Sequence, residues 1–243
     1  MSSSLPSLHD LVPTVPCRTL SSTRNPDWRP ATDEGALHSE VFAMGDEAAG
    51  GALALALALD HLAATRDAGT CEDNRAVLWV QDAAAIRTTG RPYRPGLPQA
   101  VRHRLIHVAA EKIEDALFAL EEGVRCRDLA AVIGEVTGNP RALDFTASRR
   151  LSLAAERHCV PLWLVRIDAR RDLSSARMRW DATAAPSSPP CWNGMAPGEP
   201  AWRAELFRAR RHRPAELVLR QDGRRLVQAN VRRSAVVPER DTG

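Results

Sequence analysis

From Gly35 onward, short apolar runs alternate with stretches of helical period. Residues 37–44 have the length and character of a first strand. Residues 52–64 are an Ala/Leu run of helical length, and the Gly-rich turn between the two suits a strand-to-helix junction. Residues 76–80 are continuously apolar, as in a strand buried on both faces. A Pro/Gly-rich loop at 90–96 leads to another strand at 104–108. The stretch 111–125 is amphipathic, with Ile113, Ala116, Leu117, Leu120 and Val124 on one helical face. An apolar strand at 128–136, a helix at 145–158 and a buried strand at 160–167 complete the alternation. Such alternation implies right-handed βαβ units and a parallel sheet.

The pattern changes after Asp172. Residues 177–183 and 202–210 alternate with period two, separated by a Pro/Ser-rich stretch at 186–200 read as a flexible loop. Residues 216–220 and 224–227 flank Asp222-Gly223, a hairpin signal. The expected fold is α/β, a mainly parallel twisted sheet flanked by helices, with an antiparallel extension from residue 177 closing one edge. The first 34 residues, rich in Ser, Pro, Thr and Arg, read as an irregular arm, 35–230 as one domain and 231–243 as a tail.

The 243 residues suffice for one sizeable core. No apolar run is long enough to span a membrane, and the N-terminus lacks the basic and apolar regions of a secretory signal, so a cytoplasmic protein is expected. Five scattered cysteines without a C-x-x-C pair argue against a disulfide framework or a zinc site, and Cys159 reads as a buried thiol at a helix end. His103 and His107 lie four apart but on a loop running into a strand, which does not make a metal pair. The net charge is +3, and Lys112 is the sole lysine, so the positive charge is almost all arginine, concentrated in 201–240. A basic C-terminal segment suits nucleic acid or an acidic partner.

The candidate chemistry lies between the first strand and the first helix. Gly45 and Gly50 keep the G-x-x-x-x-G spacing of a phosphate-binding loop, but Gly51 and Ala52 stand where Lys and Ser or Thr belong. Such a loop retains backbone N–H groups but no side chain for a γ-phosphate or Mg²⁺, and Asp46 and Glu47 add negative charge to it. No cofactor and no ATP hydrolysis are expected.

The degenerate loop, the acid-ended strand at 128–136 and the late antiparallel strands together resemble the RecA-like fold. The closer similarity is to the ImuA family, RecA-related proteins of bacterial SOS mutagenesis cassettes. It is carried by Gly35-Ala36-Leu37-His38-x-Glu40-Val41, Val77-Leu78-Trp79, Tyr93-x-Pro95-Gly96-Leu97, and the run from Ala130 to Val136. The block from Leu143 to Glu156, containing Thr146-Ala147-Ser148-Arg149-Arg150-Leu151, is the most specific piece. Ser175-Ala176-Arg177-x-Arg179-Trp180 and Trp202-Arg203-Ala204-Glu205-Leu206 complete it. The resemblance covers about 35–230. It implies a non-catalytic accessory role in error-prone translesion DNA synthesis, with partners ImuB, a DnaE-type polymerase and RecA itself. Two other readings stay open: an ATP-dependent RecA paralogue that binds single-stranded DNA, and a SulA-like cell-division inhibitor.

By analogy with RecA-like ATPases, Asp82 and Glu135 occupy the places of the water-orienting and Mg²⁺-holding acids. Arg149 and Arg150, following Thr146 or Ser148 as a helix cap, and Arg170 and Arg171 in the short connection 168–174 are candidates for contact with single-stranded DNA. An Arg pair on a helix equally makes local salt bridges. Trp28 and Trp192, with Arg208, Arg210, Arg211, Arg213, Arg232 and Arg233, are candidate partner contacts.

Overall fold

The computed structural model describes residues 37–67, 73–187, 189–210 and 212–228. The arm, the tail and the candidates Trp28, Arg211, Arg232 and Arg233 lie outside the described residues. Among the described residues nine strands form one sheet: β1 (His38–Ala43), β2 (Ala76–Asp82), β3 (Leu105–Ala110), β4 (Leu129–Thr137), β5 (Leu162–Ile167), β6 (Met178–Ala184), β7 (Ala201–Ala209), β8 (Ala215–Asp222) and β9 (Arg225–Gln228), in the order β3-β2-β4-β5-β1-β6-β7-β8-β9. The helices are α1 (Ala49–Asp67), α2 (Ala83–Thr89), α3 (Gln99–Arg102), α4 (Ile113–Arg125) and α5 (Phe145–His158). None of them is long and apolar enough to cross a membrane.

Two apolar layers sandwich the sheet. One joins α1 to Val41, Trp79, Ile133, Val165 and Trp180 and continues under β7–β9 through Trp202, Leu206, Leu219 and Leu226. The other packs α4 and α5 on Leu78, Val132, Leu162 and Leu164. The amphipathic face expected on 111–125 is the one α4 buries, with Ala116, Leu117, Leu120 and Val124 inward. Helix α1 is apolar nearly all round because it is nearly enclosed. Asp60, deeply buried within it, accepts the Leu226 amide at 3.0 Å and so ties the helix to β9.

The structure corrects three expectations. Strand β6 belongs to the parallel part: it runs parallel to β1 (Val41 opposite Trp180), and the antiparallel extension starts at β7. Its period-two pattern misleads because one face of β6 meets the apolar layer and the other carries Arg179 and Asp181. The cap of α5 is Asp144, whose carboxylate accepts from the Ala147 amide at 2.8 Å, rather than Thr146 or Ser148. Cys159 ends α5 in the left-handed conformation (φ 56°) but is exposed. The hairpin signal does form a turn, with Gly223 at φ 60° between β8 and β9.

Candidate functional site

The G-x-x-x-x-G segment sits at the C-terminal end of β1, beside β5, where a doubly wound sheet places its ligand crevice. The loop is short. Helix α1 begins at Ala49, so Gly50, Gly51 and Ala52 lie in its first turn. A cleft of about 270 Å³ opens beside it, lined by Gly50, Gly51, Trp79, Thr89, Tyr93 and Glu135, among others.

Each loop glycine answers to a close neighbour. A Cβ on Gly50 would lie 2.8 Å from both Ala43 Cβ and Val165 Cγ1, so glycine lets α1 sit down on β1 and β5. A Cβ on Gly45 would lie 2.5 Å from Asp168 Oδ2 and from Thr88 Cγ2. Asp168, at φ 50°, accepts the Gly45 amide at 2.8 Å, so a carboxylate of the chain itself holds the first amide of the loop. Glu47, which also lines the cleft, accepts the Ala184 amide at 2.8 Å. A Cβ on Gly51 would meet Glu135 Oε1 at 2.6 Å and Trp79 Cζ2 at 3.2 Å. The direction in which a P-loop lysine would leave the helix is filled by a carboxyl group and an indole.

Glu135 is 4% exposed. It accepts from Trp79 Nε1 at 3.0 Å, Gln81 Nε2 at 2.8 Å and Thr89 Oγ1 at 2.9 Å. Burial pushes its carboxyl above the ordinary range, and the bonds from Gln81, Thr89 and Trp79 pull the other way. Asp82 caps α2, accepting the Ala85 amide at 2.7 Å. The two acids therefore part company: Glu135 faces the cleft, whereas Asp82 holds the start of a helix. Among the described residues no group of three or more His, Cys, Asp or Glu is placed to hold a metal ion.

A second polar cluster lies on the opposite face of β1, β5 and β6, under the helix-free crossover 168–177. Glu40 accepts from Arg179 Nε at 2.7 Å and from Ser174 Oγ at 2.8 Å, with Arg166 Nη1 3.5 Å away. Arg166 also reaches Asp172 at 3.4 Å. The Arg179 guanidinium lies 5.0 Å from the Phe42 ring centroid and 5.3 Å from that of Phe207. His38, fully buried, bonds Ser152 at 2.7 Å. Burial, aided by Arg166, Arg177 and Arg179 and opposed by Glu40, lowers its pKa to about 4. Sequence reasoning missed this cluster. Its signal was present in His38 and Glu40 at alternate positions of an apolar strand and in Arg166 within another, since a buried charge needs a partner.

The arginine candidates separate. Arg150 pairs with Glu121 of α4 at 3.0 Å. Arg171 bridges Asp181 (2.8 Å) and Glu205 (2.9 Å) and stacks 3.9 Å from the Phe207 centroid. Both are committed to the fold's own surface. Arg170 is exposed, and its amide donates to Asn139 Oδ1. Arg213 is exposed, and Trp192 is 78% exposed in the β6–β7 connection. Arg149, Arg208 and Arg210, separated by up to 61 positions in the sequence, line one groove between α5 and the end of β7.

No family model matches the chain. The chain is 34% identical over 155 residues to Protein ImuA of Caulobacter vibrioides, in strain NA1000 / CB15N and equally in strain ATCC 19089 / CIP 103742 / CB 15. The match takes in 59% of this chain and 59% of the length of each relative. With the motifs that carry the resemblance, this similarity supports the chain's membership of the ImuA family.

Proposed function

We propose that the chain is a non-catalytic, RecA-like accessory protein of SOS-induced, error-prone translesion DNA synthesis, which binds an ImuB-type partner and bridges it to a DnaE-type polymerase and to RecA. The similarity to Protein ImuA supports a place in the ImuA/ImuB mutagenesis system. The filled space beside Gly51 carries the non-catalytic part of the reading. Phosphoryl transfer needs a cation at the β/γ-phosphates and a hydroxyl on Mg²⁺. Here the lysine's path holds Glu135 and Trp79, Ala52 has no hydroxyl, and Asp168 already takes a loop amide. A triphosphate entering this cleft would meet the carboxyl groups of Glu47 and Glu135 and no lysine, with the exposed Arg91 as the cation on the lining.

Purified protein mixed with ATP and Mg²⁺ tests this directly. The expected result is no nucleotide-induced shift in melting temperature and no phosphate release with or without single-stranded DNA. A saturable shift together with DNA-stimulated phosphate release would establish the ATP-dependent reading instead.

A further inference from the structure

A groove of about 490 Å³ lies between α5 and the β7 terminus. Phe145, Arg149 and Leu153 recur every four residues, so they form one stripe along α5 spanning about 12 Å. Phe145 is 40% exposed and Leu153 52% exposed, although both are large and apolar. Across the groove stand Arg208 and Arg210. The floor is neutral and already satisfied: Ser152 bonds His38 and Ser175 (2.7 Å each), and Ser174 bonds Ser148 and Glu40. Arg177, on the groove wall, is matched by Glu156. The side chains of Arg149, Arg208 and Arg210 have no ion-pair or hydrogen-bond partner among the described residues, unlike Arg150, Arg166, Arg171 and Arg179 nearby.

We propose that this groove is a docking site for an acidic peptide segment of a partner protein, with apolar side chains seated against Phe145 and Leu153 and carboxylates forked by Arg149, Arg208 and Arg210. The chemistry selects this occupant. Three unmatched guanidinium groups call for carboxylates or phosphates. The apolar stripe between them calls for aliphatic or aromatic anchors at helical or extended spacing, the mode by which grooves read short peptides. Single-stranded nucleic acid wants flat aromatic platforms for its bases, and the groove offers one half-exposed phenylalanine and an aliphatic leucine. The proposal refines the reading of the chain as a protein-binding subunit by naming the surface and the chemistry it takes.

The test is selection of displayed random peptides on the full chain, with removal of those that also bind the Arg208→Glu/Arg210→Glu variant. Enriched peptides are expected to carry Asp or Glu beside Leu, Ile or Phe. Their affinity should fall about tenfold or more in the double variant and about tenfold in Leu153→Ser, with Arg203→Glu, on the same face but near the start of β7 and outside the groove, as an unaffected control. All variants are exposed substitutions whose circular dichroism and melting should match wild type. No enrichment, enrichment of basic or uncharged peptides, or binding indifferent to Leu153→Ser would overturn the proposal. So would displacement of bound peptide by an oligo-dT strand whose own affinity depends on the same arginines. If selection fails while ATP-independent capture of an ImuB-type protein succeeds, the groove is refuted and the accessory role stands. The reverse result separates them the other way.

Discussion

The cleft beside the degenerate loop and the groove beside α5 are both concave and both lined by ionisable groups, yet their electrostatic states are opposite. In and beside the cleft the acids are already engaged, Asp168 with the Gly45 amide, Glu47 with the Ala184 amide and Glu135 with three donors, and the exposed Arg91 is the cation on its lining. In the groove three arginines face solvent unmatched beside exposed apolar side chains. A pocket whose polar groups satisfy one another has little to gain from a ligand. A groove whose charges are unmatched gains complementarity when a partner arrives. On the reading proposed above, the degenerate loop is the inert feature and the groove beside α5 is the one that binds.

The contrast can be broken most severely at the buried cluster that separates the two regions. Glu40→Ala leaves Arg166 and Arg179 buried without their carboxylate, and a loss of about 3–5 kcal/mol in denaturant unfolding is expected. A loss below about 1 kcal/mol would mean that Asp172 alone suffices. His38 gives the next largest effect. Its folded pKa of about 4 lies below the ordinary 6.5, so the unfolded chain takes up the proton first. Its contribution is complete above pH 6.5 and is lost as pH falls toward 4, by up to about 3 kcal/mol. The stability gap between wild type and His38→Gln, followed by melting from pH 7 down to 4, should shrink along that path. A constant gap would show that the imidazole is not the titrating group.

At the cleft, Gly51→Lys with Ala52→Thr restores the P-loop letters but not the space. It should cost about 1–3 kcal/mol through collision with Glu135 and Trp79, and ATP should still give no melting shift. Glu135 sharpens the point with the opposite sign to His38. Its raised pKa makes the folded state prefer the proton, so wild type should lose stability relative to Glu135→Gln as pH rises from about 4.5 through the elevated value. A parallel pair of melting curves across that range would contradict the burial of charge. In the groove, Arg208→Ala should change stability by no more than about 0.5 kcal/mol, since that side chain touches no partner.

The layered α/β fold was legible because each element carries its own period: the stripe on α4, the continuous apolar run of β2 and the hairpin glycine at 223. Helix α2 escaped notice because its seven residues follow β2 without a break and hold a single buried position, Ala85. The direction of β6 was also hidden, because alternation reports which faces are buried and says nothing of which neighbour pairs. Of the candidate site, the missing lysine and hydroxyl could be read from letters alone. The meeting of Arg149 with Arg208 and Arg210 could not, because it depends on how the crossover from β5 lays β6 and β7 beside α5.

Capture of a purified ImuB-type protein by the full chain, measured with and without ATP and Mg²⁺, tests the central claim most directly. The account predicts the same affinity in both conditions. Binding that appears only with nucleotide would contradict it, because the cleft beside Gly51 would then be a working switch.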